Sequence, residues 1–158
     1  MSLASVRADL AQRAPDLTVM VTDQSTATVE LAAAVHGVAP GQIAKTLAIR
    51  VGEEEFLLVT RGDARLSNQK AKAAFGGRPR MLGPEDVLRL TGHEVGGVCP
   101  FGLPAPLTIY CDDSLRAYDE VIPAGGHTHA SVRLTVARLA ALCGNRWADA
   151  CEVPEHPA

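Results

Sequence analysis

Apolar residues recur every three or four positions in five stretches of the chain, which is the period of an amphipathic helix. Pro15 ends the first of these stretches, Thr135 can cap the last one, and Gly144 follows its final apolar residue. The predicted helices cover 2–14, a segment that begins at Thr26 or Thr28 and ends at Gly37, 67–75, a helix opened by Pro84, and 136–143.

Continuous apolar runs between turn residues predict the strands. The runs 45–51 and 56–60 form a pair joined by the polar turn 52–54, and further strands are predicted at 17–21, 107–111, 121–124 and 131–134. Because helices and strands follow one another in mixed order, we predict one α+β (mixed α/β) domain over 1–158. The proline-rich end of the tail after Trp147 is expected to be frayed.

The composition excludes several classes of protein. A chain of 158 residues that is 47% hydrophobic and 21% charged is neither disordered nor collagen-like. No run approaches the ~18 consecutive apolar residues that a membrane span needs. Arg7, Asp9 and Arg13 interrupt the segment in which a signal peptide would carry its apolar core. The sequence therefore predicts a cytoplasmic protein with no membrane partner.

The cysteines and histidines give little support for a metal site. Cys99, Cys111, Cys143 and Cys151 form no C-x-x-C pair, so we expect four reduced thiols, with Cys111 and Cys143 buried as small apolar side chains. The pair His127 and His129 could ligate zinc, but no acid accompanies it at a recognisable spacing. A hydrogen-bonding histidine in a pocket and a plain surface loop are the other two interpretations, and no metal is predicted.

Two features of the sequence could carry chemistry. Lys45 opens an apolar strand, where it is either an ordinary solvated residue or a cation directed into a cleft that binds phosphate or carboxylate. The loop 96–100, Gly-Gly-Val-Cys-Pro, is either a tight connection or a nest of backbone N–H groups that binds an oxyanion.

The sequence offers no clear protein nucleophile. It contains neither a Walker loop nor a G-x-S-x-G elbow, and no histidine and acid are spaced as in a triad. Cys99 is either a thiolate nucleophile on the glycine loop or a small side chain that fits the loop, and no partner base can be named for it.

The charge is unevenly distributed along the chain. The protein is acidic overall, with 15 Lys and Arg against 18 Asp and Glu, which argues against a non-specific nucleic-acid coat, and DNA is not expected as a partner. Residues 61–80 nevertheless carry six cations and one acid, Asp63. This segment is either a solvated helix face or a contact with a phosphate backbone.

These residues together resemble the YbaK/EbsC family, also called the prolyl-tRNA-synthetase-associated domain. The resemblance runs over about 26–142 and includes the motifs TVELAA at 28–33, QIAKTL at 42–47, RGD at 61–63 and TGHEVGGVCPFG at 91–102. The pairing of Lys45 with the Gly-x-x-x-Pro loop, Gly96 to Pro100, is its most specific part.

The resemblance implies a fold and an activity. The fold is a curved mixed β-sheet that forms a partial barrel flanked by helices. The activity is trans-acting hydrolysis of the ester of mischarged tRNA carrying Ala, Ser or Cys, with no cofactor. A non-catalytic module of the same fold that binds aminoacyl-tRNA or a synthetase is the alternative. The partners implied are the acceptor end of mischarged tRNA and an aminoacyl-tRNA synthetase.

The resemblance also assigns roles to residues. Lys45 places the terminal adenosine or the aminoacyl group, the amides of the loop hold the scissile carbonyl, and the ribose hydroxyl and a water do the chemistry. The residues expected at the catalytic centre are Lys45, Gly96, Gly97, Val98, Cys99 and Pro100. Those expected to bind the substrate are Thr46, Asp63, Gly102, Gly125 and His127, and those expected to bind tRNA are Arg61, Arg65, Lys70 and Lys72.

Overall fold

The computed structural model describes residues 2–154, and five helices lie in this range. Side-chain hydroxyls begin three of them: Thr28 Oγ1 accepts from the N–H of Leu31, and Ser67 and Thr135 make the equivalent bond. The helices are α1 (Ser2–Arg13), α2 (Val29–His36), α3 (Asn68–Phe75), α4 (Pro84–Thr91) and α5 (Val136–Cys143), with 3₁₀ turns at Pro40–Gln42 and Asp113–Ala117.

Eleven strands lie in the same range, and seven of them form a mixed sheet. The strands are β1 (Val19–Val21), β2 (Ile43–Val51), β3 (Glu54–Arg61), β4 (Arg65–Leu66), β5 (Arg80–Met81), β6 (Ile109–Asp112), β7 (Glu120–Pro123), β8 (Ala130–Val132), β9 (Leu134–Thr135), β10 (Trp147–Ala148) and β11 (Cys151–Glu152). The main sheet has the order β10-β6-β3-β2-β7-β9, with β5 also paired to β2. It curls into a half-barrel, as the resemblance implies.

The long hairpin of β2 and β3 organises this sheet. The two strands are antiparallel, in register from Ala44↔Arg61 to Val51↔Glu54, whereas β6 pairs parallel with β3 and β7 pairs parallel with β2. Two small antiparallel pairs, β1 with β8 and β4 with β11, lie beside it.

Apolar side chains cover both faces of the hairpin. On one face Ala44, Leu57 and Val59 pack into the main core, which also holds side chains of α1 and α5. On the other face Ile49, Phe56 and Leu58 pack against α3, where Phe56, Phe75 and Tyr110 form a cluster of rings 4.6–5.3 Å apart. Burial on both faces explains why the strands read as continuous apolar runs instead of alternating ones.

The structure corrects the predicted strands in two places. The run 131–134 is two strands, β8 and β9, because Arg133 leaves the ladder between them. The tail after Trp147 contains two strands, β10 on β6 and β11 on β4. The expectation of fraying concerns its proline-rich end, and 155–158 lie outside the described residues. The predicted burial of Cys111 and Cys143 is confirmed. Within 2–154, no helix has both the length and the apolarity to cross a bilayer.

Candidate active site

A small cleft of about 230 Å³ lies where β2, the start of α2 and the loop after α4 meet. Its wall contains 26–29, 43–48 and 81–82. It also contains Val95, the loop residues Gly96 and Val98, Ala124 after β7, and Ser131 of β8. Among the described residues that line it, Lys45 carries the one ionisable side chain. The structure therefore brings together the two features that the sequence singled out.

Lys45 is a half-buried cation held in place by the backbone. Its Nζ donates to the carbonyl oxygen of Ala64, which uses one of the three ammonium hydrogens. Burial lowers the pKa of Lys45 below the ordinary lysine value, while the carboxylates of Asp63 and Glu30 act in the opposite direction. The fixed ammonium suits an anionic or strongly polar ligand that could replace its lost hydration.

Asp63 and Arg61 shape the turn that receives Lys45. The Arg61 guanidinium donates to both carboxylate oxygens of Asp63, at 2.6 and 2.9 Å, and its Cζ lies 5.6 Å from the centre of the Tyr118 ring. The N–H of Ala64 donates to the Arg61 carbonyl at 3.0 Å, which closes the turn. Neither Asp63 nor Arg61 lines the cleft. Both belong to the turn that holds the Ala64 carbonyl, and this carbonyl accepts the hydrogen bond from Lys45.

The glycine loop leaves backbone donors beside the cleft. The N–H of Gly97 is used within the loop, where it donates to the Glu94 carbonyl at 3.0 Å. The N–H groups of Gly96, Val98 and Cys99 have no acceptor among residues 2–154, and Gly96 and Val98 line the cleft. Free amides at a cleft that a cation also lines are elements of a site that stabilises negative charge on an oxygen.

Two glycines are required where this loop approaches the turn after β7. Gly96 has a φ of +95°, in the left-handed region that favours glycine. A Cβ on Gly97 would lie 2.7 Å from the backbone nitrogen of His127, closer than a side chain can pack. The N–H of Gly126 donates to the Gly97 carbonyl at 3.0 Å, so the two segments are bonded as well as packed.

Cys99 and Pro100 belong to the buried side of the loop. Cys99 is fully buried, and its burial raises the pKa of the thiol to about 12. Its Sγ lies 3.5 Å from Nε2 of His93, whose ring also bonds the Phe101 carbonyl at 2.7 Å. A thiol in this environment stays protonated, which favours the interpretation of Cys99 as a small side chain that fits the loop.

His93 is a buried residue whose place in the site could not be inferred from sequence. Its Nδ1 lies 2.5 Å from Oγ of Ser2, which also donates to the Gly126 carbonyl. Burial lowers the pKa of His93. The ring thus joins the start of α1 to the end of the glycine loop, and Ser2 extends this connection to the turn after β7. The distance of 91 residues between Ser2 and His93 hides this connection from any local pattern.

Besides Asp63, three residues expected to bind substrate lie outside the cleft. His127 is exposed in a neighbouring groove on the far side of Gly97, and its Nδ1 accepts from the N–H of His129 at 3.1 Å. Gly102 donates its N–H to Asp9 of α1 at 2.7 Å, and Gly125 donates to the Ala130 carbonyl at 2.8 Å. Of the predicted substrate-binding residues, Thr46 alone lines the cleft. No group of three or more His, Cys, Asp or Glu within 2–154 could hold a metal ion.

Half of the predicted tRNA-binding cations are engaged within the chain. Arg61 is paired with Asp63, and Lys70 lies 3.3 Å from Asp149. Arg65 and Lys72 are exposed and form no ion pair within the described part of the chain. The positive potential of this segment in solution therefore comes largely from its unpaired cations.

Comparison with known proteins places these features in a family. A family model described as an aminoacyl-tRNA editing domain matches residues 23–142. The uncharacterized protein YwhH of Bacillus subtilis (strain 168) is 42% identical over 154 residues, which cover 96% of this chain and 98% of YwhH. The proline–tRNA ligase of Desulfitobacterium hafniense (strain DSM 10664 / DCB-2) is 33% identical over 94 residues, 58% of this chain and 16% of the ligase.

A solved structure agrees with the sequence matches. It is the crystal structure of a proposed trans-editing enzyme for prolyl tRNA synthetase, and it superposes with a TM-score of 0.88 at 38% identity over 96% of this chain and 97% of that one. The family match covers most of this chain and includes the lysine, the glycine loop and the strands that bring them together. This protein therefore belongs to the aminoacyl-tRNA editing domain family.

Proposed function

We propose that this protein hydrolyses the ester bond of mischarged tRNA that carries a small amino acid, acting in trans on the acceptor end. The observation that carries the proposal is the cleft itself, in which Lys45 and the free amides of Gly96 and Val98 line one small space in a chain of the editing family. The cytoplasm is the compartment that this activity requires.

The groups in the cleft match the charge that develops during ester hydrolysis. Water adds to the carbonyl carbon, the carbon–oxygen bond to the ribose breaks, and the ribose oxygen takes the proton. The free amides can hold the carbonyl oxygen as it becomes negative, and each such donor contributes about 3–4 kcal/mol of transition-state stabilisation. Lys45 adds a positive charge at the same cleft and fits a role in placing the ester or the terminal adenosine.

The attacking group is proposed to come from the substrate and solvent. The described residues that line the cleft include no cysteine, histidine or carboxylate that could act as a nucleophile or as a base for its serine and threonine hydroxyls. The buried thiol of Cys99 is held protonated. A water positioned by the terminal ribose hydroxyl therefore remains the best-supported nucleophile.

The size of the cleft favours a small aminoacyl group. Its volume of about 230 Å³ lies below the ~300–1,000 Å³ that is usual for sites of drug-sized ligands. Small or β-branched side chains, among them Ala32, Ala44 and Val98, form most of its wall. Alanine, serine and cysteine esters are the class that we propose.

The partner proposed is the acceptor end of tRNA, in association with prolyl-tRNA synthetase. Similarity to proline–tRNA ligases supports this partnership, and the exposed cations Arg65 and Lys72 can contact phosphates. Because the rest of the chain is acidic, we expect a contact limited to a few phosphates.

A panel of tRNAs mischarged with alanine, serine or cysteine tests the proposal. We expect release of the amino acid from at least one of them by catalytic amounts of protein. Tight binding of all three with no release would instead favour the non-catalytic module, and neither binding nor release would overturn both interpretations.

A further inference from the structure

Two hydroxyl groups at the cleft have no hydrogen-bond partner among residues 2–154. Thr46 Oγ1 is buried and makes no hydrogen bond. Ser131 is 2% exposed, lines the same cleft, and its Oγ has no hydrogen-bond partner among residues 2–154. The other hydroxyls of the wall are engaged, since Thr26 Oγ1 donates to the Thr128 carbonyl at 3.2 Å and Thr28 caps α2.

The sheet brings these two hydroxyls to one wall. Side chains alternate along β2, so Thr46 shares a face with the small buried residues Ala44 and Ala48, opposite to the face from which Lys45 leaves the strand. On the next strand Pro123 pairs with Ala44, and the following residue, Ala124, bridges to Ser131. Thr46 and Ser131 are therefore polar positions in a wall that is otherwise mostly apolar.

An unpartnered buried hydroxyl calls for an explanation. Buried polar groups in native proteins are almost always hydrogen-bonded, because a group that has lost water without gaining a partner destabilises the fold. Thr46 Oγ1 is such a group, and a ligand atom that bonds both it and the Ser131 hydroxyl would explain why neither has a protein partner. Lys45 and the loop amides are assigned to the ester end of the substrate, which leaves these hydroxyls for the aminoacyl side chain.

We infer that Thr46 and Ser131 select a side chain that bears a hydroxyl, so that a seryl ester is preferred over an alanyl one. This inference rests on the proposed function and narrows it. A hydroxyl both donates and accepts, and so matches two groups that can each do either. The methyl group of alanine would leave both unpaired, and the thiol of cysteine is a weaker partner for both.

The unpaired hydroxyls also set the size of the expected preference for the seryl ester over the alanyl ester. A site built to hydrogen-bond a substrate hydroxyl rejects the analogue without it far more strongly than an apolar pocket rejects a change of one methylene. With two partners of neutral character, we expect kcat/KM for the seryl ester to exceed that for the alanyl ester by at least about tenfold.

The test compares one tRNA acylated in turn with serine, alanine and cysteine, using wild-type protein, Thr46→Val and Ser131→Ala. Each variant removes a hydroxyl at nearly constant shape, and we expect each to lower the serine-to-alanine ratio of kcat/KM by about tenfold. Thr46→Ser keeps the hydroxyl and is the matched control, which should retain most of the preference. A wild-type ratio of one or less, or a ratio that both variants leave unchanged, would overturn the inference.

A binding measurement separates this inference from the proposed function. The seryl and alanyl amides of 3′-amino-3′-deoxyadenosine resemble the substrate end and cannot be hydrolysed as esters. We expect the seryl amide to bind more tightly to wild-type protein and to lose that advantage in Ser131→Ala. Preferential binding without ester hydrolysis would remove the proposed function and keep the selectivity, whereas hydrolysis with equal binding of the two amides would remove the selectivity alone.

Discussion

Replacement of Gly97 by alanine tests whether the position of the glycine loop controls the activity. The new Cβ would lie 2.7 Å from the nitrogen of His127 and 2.9 Å from the carbonyl carbon of Gly126, both backbone atoms that cannot rotate away. Since nonbonded atoms of this kind settle at about 3.5 Å, the loop must move by about 0.8 Å or more.

This displacement of the loop sets the expected loss of activity. Misplacement by about 1 Å costs up to ~100-fold in rate, so we expect kcat/KM for the ester to fall between about tenfold and 100-fold. The crowded contact should also lower the free energy of unfolding by about 1–3 kcal/mol. The amide of Gly97 itself donates to Glu94 and would remain, so the loss reports the position of its neighbours.

The assay is deacylation of a mischarged tRNA, at a temperature where circular dichroism and thermal unfolding show the variant to be folded. Gly83→Ala is the matched control, because a Cβ there meets no atom within 4 Å. The control should keep activity within about twofold of wild type. Wild-type turnover by folded Gly97→Ala would refute the assignment of the loop to the reacting carbonyl.

The remaining predictions concern the thiol, two histidines with lowered pKa values and the exposed cations. Cys99→Ala should keep most of the turnover, because burial raises the pKa of this thiol to about 12, and a folded but inactive variant would revive the thiolate mechanism. Burial lowers the pKa values of His36 and His93 in the folded state, so the unfolded chain takes up protons first as the pH falls through about 6.5. The free energy of unfolding, measured by urea titration, should therefore decrease from pH 7.5 to 5.5. The buried His93 should contribute the larger part, at most about 1.4 kcal/mol per pH unit, and the partly exposed His36 less, and a flat profile would contradict the lowered pKa values. Arg65→Gln and Lys72→Gln should each reduce the slope of log affinity for tRNA against log salt concentration by about one, whereas an affinity independent of salt would remove the phosphate contact.

The helices and the central hairpin could be predicted from the sequence because their signals are local. Thr28, Ser67 and Thr135 cap helices where the pattern places helix starts, and the runs of β2 and β3 are long. Of the five two-residue strands, β4, β5, β10 and β11 could not be predicted. Strands of this length have no periodicity and exist because a distant partner is present.

The candidate site likewise combines residues with a local sequence signal and residues that only distant contacts bring into place. Lys45 and the glycine loop stand out by residue type, and the structure brings them to one cleft. The roles of Ser131 and His93 depend on which segments meet in space, and no spacing along the chain indicates that. His127 shows the converse, because a residue type suited to a pocket lies in the neighbouring groove, on the other side of Gly97.

The most direct test of the account compares ester hydrolysis by wild-type protein and Lys45→Met under single-turnover conditions. Methionine keeps a long side chain in place of the lysine stem and removes the cation that lines the cleft. Arg138→Met is the control and should behave as wild type. It removes an exposed cation of α5 that is paired with Asp16. We expect the rate of amino-acid release to fall by about 100-fold or more in Lys45→Met. An equal rate in both folded variants would contradict the claim that this cleft performs the hydrolysis.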